Sequence, residues 1–206
     1  MTDVALQNTG ATLSEAALTT ALGRRSIVLI GMMGAGKSSI GRRLAARLNL
    51  PFVDADTEIE KAASMTIPEI FSTHGEPYFR AGEARVIARL LESGPQVLAT
   101  GGGAFINPET RTAIRAKGIS IWLNAAIDIL MRRIRRRADR PLLADADPVE
   151  TLNRLIAERY PVYAEADLTI ESRDVPHDTI VGEIVTKLCS HPSLAGGGEN
   201  TEARGQ

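Results

Sequence analysis

Residues 26–38 read Ser26-Ile27-Val28-Leu29-Ile30-Gly31-Met32-Met33-Gly34-Ala35-Gly36-Lys37-Ser38, an apolar run that passes through glycines into a helical pattern. Gly31 to Ser38 fits G-x-x-x-x-G-K-[ST], and a strand-sized run before it with a helix after it is the context that a phosphate-binding loop requires. Such a loop turns tightly and aims successive backbone N–H groups at phosphate oxygens, an approach that a Cβ atom would block. The helix that follows adds its positive N-terminal end. Lys37 can reach the β- and γ-phosphates as a point charge, and the Ser38 hydroxyl is placed to ligate a Mg²⁺ that bridges them. The chain is therefore expected to bind a nucleoside triphosphate.

Outward from this loop, short apolar runs alternate with amphipathic stretches. Residues 26–30, 51–53, 96–99, 119–123 and 168–170 read as strands, and helices are expected near 36–48, 76–92, 108–117, 126–137, 148–164 and 177–189. That alternation predicts a parallel sheet covered by helices on both faces, with ligands gathered at the carboxyl ends of the strands. With 206 residues, 44% of them hydrophobic, the chain can bury one full core, and no internal repeat divides it. Residues 1–23 are small, polar and weakly patterned, and 191–206 read as lacking anything to pack, so both ends are expected to be disordered tails around a domain over 24–190. Residues 138–148, rich in Asp, Ala and Pro without apolar periodicity, read as a mobile loop.

Composition excludes several function classes. Every apolar run falls well short of the roughly 20 residues that span a bilayer, and residues 1–23 lack the basic and apolar regions of a signal peptide, so a cytoplasmic protein with no membrane partner is expected. A single cysteine, Cys189, cannot form an internal disulfide and reads as the buried side of a terminal helix. The net charge of −1 gives no global field for nucleic acid. The arginine run at 132–137 has no interleaved aromatics, which favours a solvated helix face over an RNA-binding strip.

Chemistry-bearing residues recur where strands end. Asp54 and Asp56 follow the second strand, and one carboxylate could face Mg²⁺ while the other orients an acceptor hydroxyl and takes its proton. A surface Asx turn that caps a helix is the alternative. After the third strand, Gly101-Gly102-Gly103 let backbone come very close to a ligand. Arg80 suits bidentate binding of a carboxylate, with Glu83 three residues on to hold it. Arg140 and Arg159 each have a proline close by, Arg140 at the start of the mobile loop.

Taken in order, GMMGAGKSSIGRRLA, FVDAD, FRAGE, GGG, RPLL and RYPVY resemble the motifs of the shikimate kinases, over about residues 25–190. The loop alone is shared by very many nucleoside triphosphatases; the combination of Asp-x-Asp, Phe-Arg-x-x-Glu, Gly-Gly-Gly and Arg-x-Pro-x-Tyr is specific. The resemblance implies a nucleoside-monophosphate-kinase-like α/β fold: five parallel strands in order 2-3-1-4-5, a substrate-binding segment around 55–92 and a lid around 138–148. It implies ATP-dependent phosphorylation of the 3-hydroxyl of shikimate in aromatic amino-acid biosynthesis. By matching motif position, Asp56, Arg80, Arg159 and the run Gly101, Gly102 and Gly103 would meet shikimate. Ser38 and Asp54 would serve Mg²⁺. Gly34, Ala35, Gly36, Lys37, Ser38 and Ser39 would hold the ATP phosphates, with Arg140 arriving from the lid, and Arg133 and Pro176 fall where family members sandwich adenine. Lys37, Asp56 and Arg140 would be the catalytic set. A polyol carboxylate asks for arginines at its carboxylate and an aspartate at its hydroxyls, so the residues agree with that substrate. Another small-molecule kinase of the same fold, such as a gluconate kinase, would share the loop and general layout but not the set Arg80, Gly101–Gly103 and Arg159. With no long exposed apolar seam, a monomer is expected.

Overall fold

The structure, a computed structural model, describes residues 12–135 and 147–195. Its centre is β1 (Ser26–Ile30), buried at all five positions. A strand covered on both faces has no solvent side to alternate towards, which is why its sequence is continuously apolar. The sheet order is β2-β3-β1-β4-β5, with β2 (Phe52–Asp54), β3 (Val97–Ala99), β4 (Gly118–Asn124) and β5 (Leu168–Glu171). Every pairing is parallel; Ile27 lies opposite Val97 on one side and Ile119 on the other. Five strands in order 2-3-1-4-5 match the arrangement that the sequence implies.

Helices flank this sheet. α1 (Glu15–Leu22), α2 (Lys37–Leu48), α8 (His177–Cys189) and the short α9 (Pro192–Ala195) pack together, and α4 (Ile67–Glu92) packs on both α3 (Ala55–Ala63) and α5 (Pro108–Lys117). α6 (Ile127–Arg135) and α7 (Pro148–Tyr163) lie against each other. Cys189 is buried on α8, as its apolar setting predicts. α4 is two helices joined at Gly75, whose φ of 80° and ψ of 171° break the ladder, so the second part begins at Glu76, where the sequence predicts a helix start. The first part, and α3 before it, lie where the sequence pattern predicts no separate helices. The expected helix over 126–137 is seen as 127–135, with its last two residues outside the described range.

Both chain ends correct the expectation of disordered tails. Residues 15–22 form α1, capped by the Ser14 side chain, with Leu18 and Leu22 buried; Leu13 N–H donates to the Cys189 carbonyl at 2.9 Å. At the other end α9 buries Leu194, and Arg25 donates to both the carbonyl and the hydroxyl of Ser193. Each segment carries one or two large apolar side chains among small ones. Such a segment shows no periodicity, yet those leucines close the core over α8. Residues 1–11 and 196–206 lie outside the described range. So do residues 138–146 of the expected lid, Arg140 among them; Asp147 then caps α7 through its side chain.

Leu18→Ala removes a fully buried side chain from the contact between α1 and the core and is expected to lower unfolding free energy by about 2–5 kcal/mol. Urea titration measures it. A change under about 0.5 kcal/mol, as at an exposed site, would return α1 to the status of a tail.

Candidate active site

β1 delivers the chain into a turn with positive φ at Gly31, Gly34 and Gly36. A Cβ on Gly31 would lie 2.8 Å from the Leu123 carbonyl oxygen, so the loop sits against the end of β4 because this residue has none. Gly36 is the N-cap of α2 and brings no side-chain acceptor to the first-turn N–H groups, which leaves them available to an anion. Lys37 folds back over the loop, its Nζ donating to the carbonyls of Gly31 (2.7 Å) and Met32 (2.9 Å). Ser38 and Ser39 lie in the first turn of α2 beside it.

The two aspartates part company. Asp54 accepts a hydrogen bond from Ser38 Oγ at 2.7 Å through one oxygen and from the Asp56 N–H at 3.2 Å through the other. It is therefore both the N-cap of α3, as the capping alternative has it, and the partner of the loop serine. Its strand pairs with β3 and not with β1, yet the side chain spans the gap to α2. Asp56 faces elsewhere, towards the glycine run.

That run follows β3. A Cβ on Gly101 would lie 2.8 Å from Asp56 Oδ1 and 2.8 Å from Glu83 Oε1; one on Gly102 would be 3.5 Å from Arg159 Nη1 and 3.5 Å from Met33 N; one on Gly103 would be 2.6 Å from Arg80 Cζ. Three successive residues without side chains thus bring α3, α4 and α7 around one short stretch of backbone, and with them Asp56, Glu83, Arg80 and Arg159. Arg80 is fixed from two sides, by Glu83 at 2.8 Å and by Glu76 at 3.0 Å. Burial works against its charge, but the two carboxylates more than offset that and hold its pKa above the ordinary arginine value. Glu83 is 2% exposed. Burial pushes its pKa up, Arg80 opposing, and its second oxygen has no hydrogen-bond partner among the described residues.

Arg159 donates to the Gly102 carbonyl at 3.3 Å, and Tyr163, one turn further along α7, donates its hydroxyl to the same oxygen. Tyr163 enters the sequence reading only as the tyrosine of the Arg-x-Pro-x-Tyr motif, with no role given to it. The signal was the i,i+4 spacing in Arg159-Tyr160-Pro161-Val162-Tyr163, which puts both side chains on one helix face.

At the far end of the loop, Arg133 of α6 donates to Ser172 Oγ at 2.9 Å and to the Arg173 carbonyl at 2.8 Å, and approaches the Gly34 and Ala35 carbonyls at 3.4 Å. Its burial lowers its pKa. Pro176 is the exposed N-cap of α8, a few residues beyond the segment that Arg133 holds. Arg132 is exposed and pairs with Asp174 at 2.8 Å, which fits a solvated face for this part of the arginine run. Arg140 lies outside the described residues.

Chemically, a cationic phosphate cradle lies at one end, a hydroxyl–carboxylate pair of hard oxygen donors beside it, and across the glycine run an aspartate and two arginines. A family model for shikimate kinase matches residues 33–189. The shikimate kinase of Bradyrhizobium diazoefficiens is 70% identical over 177 residues, 86% of each chain. That of Rhodopseudomonas palustris is 68% identical, covering 84% of this chain and 86% of its own. The solved structure of shikimate kinase from Acinetobacter baumannii in complex with shikimate has a TM-score of 0.80 at 36% identity, covering 87% of this chain and 99% of that one. A gluconokinase from Sinorhizobium meliloti, with a TM-score of 0.51 at 18% identity over 84% of this chain and 92% of that one, shares the fold alone.

Gly103→Ala inserts a methyl group where the Arg80 guanidinium lies and is expected to raise the acceptor KM at least about tenfold, through lost bidentate geometry, with the nucleotide KM changed less than about twofold. Steady-state kinetics with each substrate varied in turn measures the split, and an unchanged acceptor KM would remove Arg80 from that site.

Proposed function

The chain belongs to the shikimate kinase family, and on that premise we propose how its own residues divide the work. The reaction is ATP-dependent transfer of a phosphoryl group to the 3-hydroxyl of shikimate, giving shikimate 3-phosphate and ADP. One observation carries the division of roles: Asp56, Arg80 and Arg159, drawn from three helices, surround Gly101–Gly103, while Lys37 and Ser38 stand at the adjoining phosphate loop.

Arg80 and Arg159 bind the shikimate carboxylate. Asp56 orients the 3-hydroxyl and accepts its proton as the new O–P bond forms at the γ-phosphorus and the bond to the β–γ bridging oxygen breaks, the electron pair leaving with ADP. The N–H groups of Gly34 to Ser39 hold the phosphates, and Lys37 stabilises charge on the group in flight. The Ser38 hydroxyl and the Asp54 carboxylate, 2.7 Å apart, are the hard oxygen donors that suit Mg²⁺, and these two would hold it. When bound it supplies neutralisation of phosphate charge. Arg133 and Pro176 flank the adenine; Arg140, to which the resemblance gives charge neutralisation at the phosphates, lies outside the described residues.

Among the described residues these assignments need no second copy of the chain, which supports a monomer as the working unit. No helix among them is long and apolar enough to cross a membrane. We place the protein in the cytoplasm, where its phosphoryl donor is made available.

ADP release measured with shikimate, with gluconate and with no added acceptor tests the acceptor assignment. Shikimate should be required, with the new phosphate on the 3-hydroxyl by phosphorus NMR. Equal stimulation by gluconate would favour the other kinase class of this fold. Asp56→Asn keeps size and hydrogen bonding but removes the proton acceptor, and kcat should fall by about 10²-fold or more. A rise in shikimate KM at constant kcat would make Asp56 a binding residue only.

A further inference from the structure

Gly102 is flanked by glycine on both sides, so no neighbouring side chain limits how its peptide planes rotate. The turn closed by the Ala104 N–H on the Gly101 carbonyl at 3.3 Å has the Gly102–Gly103 plane as its central peptide, and what selects the way that plane faces is its carbonyl, which accepts two hydrogen bonds from one face of α7, from Arg159 Nη1 and from the Tyr163 hydroxyl. In a trans peptide the N–H points opposite to the carbonyl. Holding the Gly102 carbonyl towards α7 therefore turns the Gly103 N–H away from it. Gly103 is also the residue whose missing Cβ makes room for the Arg80 guanidinium, so an anion on Arg80 lies within reach of that N–H. Among the described residues none of the N–H groups of Gly101, Gly102 and Gly103 donates a hydrogen bond.

We propose that Tyr163 is a positioning residue of the acceptor site: by holding the Gly102 carbonyl, its hydroxyl aims the Gly103 N–H at the shikimate carboxylate as a third donor beside Arg80 and Arg159. The inference rests on the reading of those arginines as the carboxylate site. The tyrosine is suited to the task. Its side chain is fully buried, its ring packs against Trp122 and Tyr160 at centroid distances of 6.0 and 6.2 Å, and Met32 Sδ of the phosphate loop is 3.8 Å from the hydroxyl. The ring cannot swing, and so the oxygen it carries is a fixed point. Burial, with Arg159 opposing, pushes the phenol up to about 12, so it remains a donor through the whole range in which the enzyme would be assayed. A purely structural tyrosine would have the same burial. The distinguishing feature is the target, the one carbonyl that orients an unpaired amide in the site.

Tyr163→Phe keeps the ring and removes the donor. We expect the shikimate KM to rise about tenfold, the scale of one net hydrogen bond, while kcat falls less than that and the ATP KM stays within about twofold. Placing 4-aminophenylalanine at the position restores a donor and should recover most of the loss. With a shikimate analogue in which hydroxymethyl replaces the carboxylate, Tyr163→Phe and the native enzyme should have the same KM. In the native protein, whether or not the variant folds, the Gly103 amide proton should move downfield when shikimate alone is added. An unmoved amide, an unchanged shikimate KM, or an equal penalty with the carboxylate-free analogue each overturns the proposal. Arg80→Lys separates the two levels of inference. If it weakens shikimate and Tyr163→Phe does not, only the role of Tyr163 falls; if neither does, the reading of the acceptor site falls with it.

Discussion

The acceptor side of this enzyme depends on backbone coming as close to charged side chains as atoms allow. At Gly101 and Gly103 a single methyl group would overlap a carboxylate or a guanidinium, while at Gly102 it would come into ordinary contact with Arg159 and the phosphate loop. Because three consecutive residues yield that space, helices from three separate parts of the chain can present Asp56, Arg80 and Arg159 to one small volume. A loop with side chains would hold those helices apart by the thickness of a methyl group or more, and the polar groups could not converge on a ligand of shikimate's size. The constraint is steric first and electrostatic second.

The electrostatic part has a cost that the pairing explains. Glu83 is buried with one oxygen unpaired among the described residues, and an unpaired carboxylate in that position would be strongly disfavoured. Arg80 makes it tolerable, and in return Glu83 and Glu76 fix the guanidinium from two directions, so that little side-chain freedom remains to be lost when a ligand arrives. A buried pair of this kind is weak evidence for stability and better evidence for geometry. On the phosphate side the same logic runs through the backbone: Lys37 spans the loop by way of two carbonyls, and the glycines supply conformations that other residues resist.

Much of this was legible in the sequence, and the exceptions have physical causes. The strand pattern and the loop motif were readable because a parallel strand buried on both faces must be apolar throughout, and a phosphate loop allows few substitutions. α1 and α9 were not, since Leu18, Leu22 and Leu194 are too few to show a period, and what orders these segments is the surface of α8 rather than their own propensity. The division between Asp54 and Asp56 could not be drawn from spacing, because it depends on α2 packing against the end of β2, where Ser38 meets Asp54. Tyr163 was legible from sequence as the last residue of the Arg-x-Pro-x-Tyr motif but without a role; only the position of the Gly102 carbonyl gives its hydroxyl a target. Glu83 was read as a partner for Arg80, but its depth of burial follows from α4 packing, which no local pattern reports.

The placement of the parts follows from the sheet. In a parallel sheet all carboxyl ends lie on one edge, and here each of the five strands delivers something to that edge. β1 opens into the phosphate loop, β2 ends in Asp54 and β3 leads to the glycine run. β4 leads to Ala125, whose carbonyl accepts from the Tyr160 hydroxyl at 2.5 Å and anchors the helix that carries Arg159. β5 leads to Ser172, whose hydroxyl donates to the Ala35 carbonyl at 2.8 Å while it accepts from Arg133. The two strands that do not touch a substrate group directly therefore hold the elements that do. Since β1 lies between β3 and β4, the phosphate loop stands, among the described residues, between the glycine run and the α6–α7 side. On the proposed assignment an acceptor at the former and a nucleotide at the latter would meet across it, on parallel neighbouring strands whose spacing is fixed by the hydrogen-bond ladder.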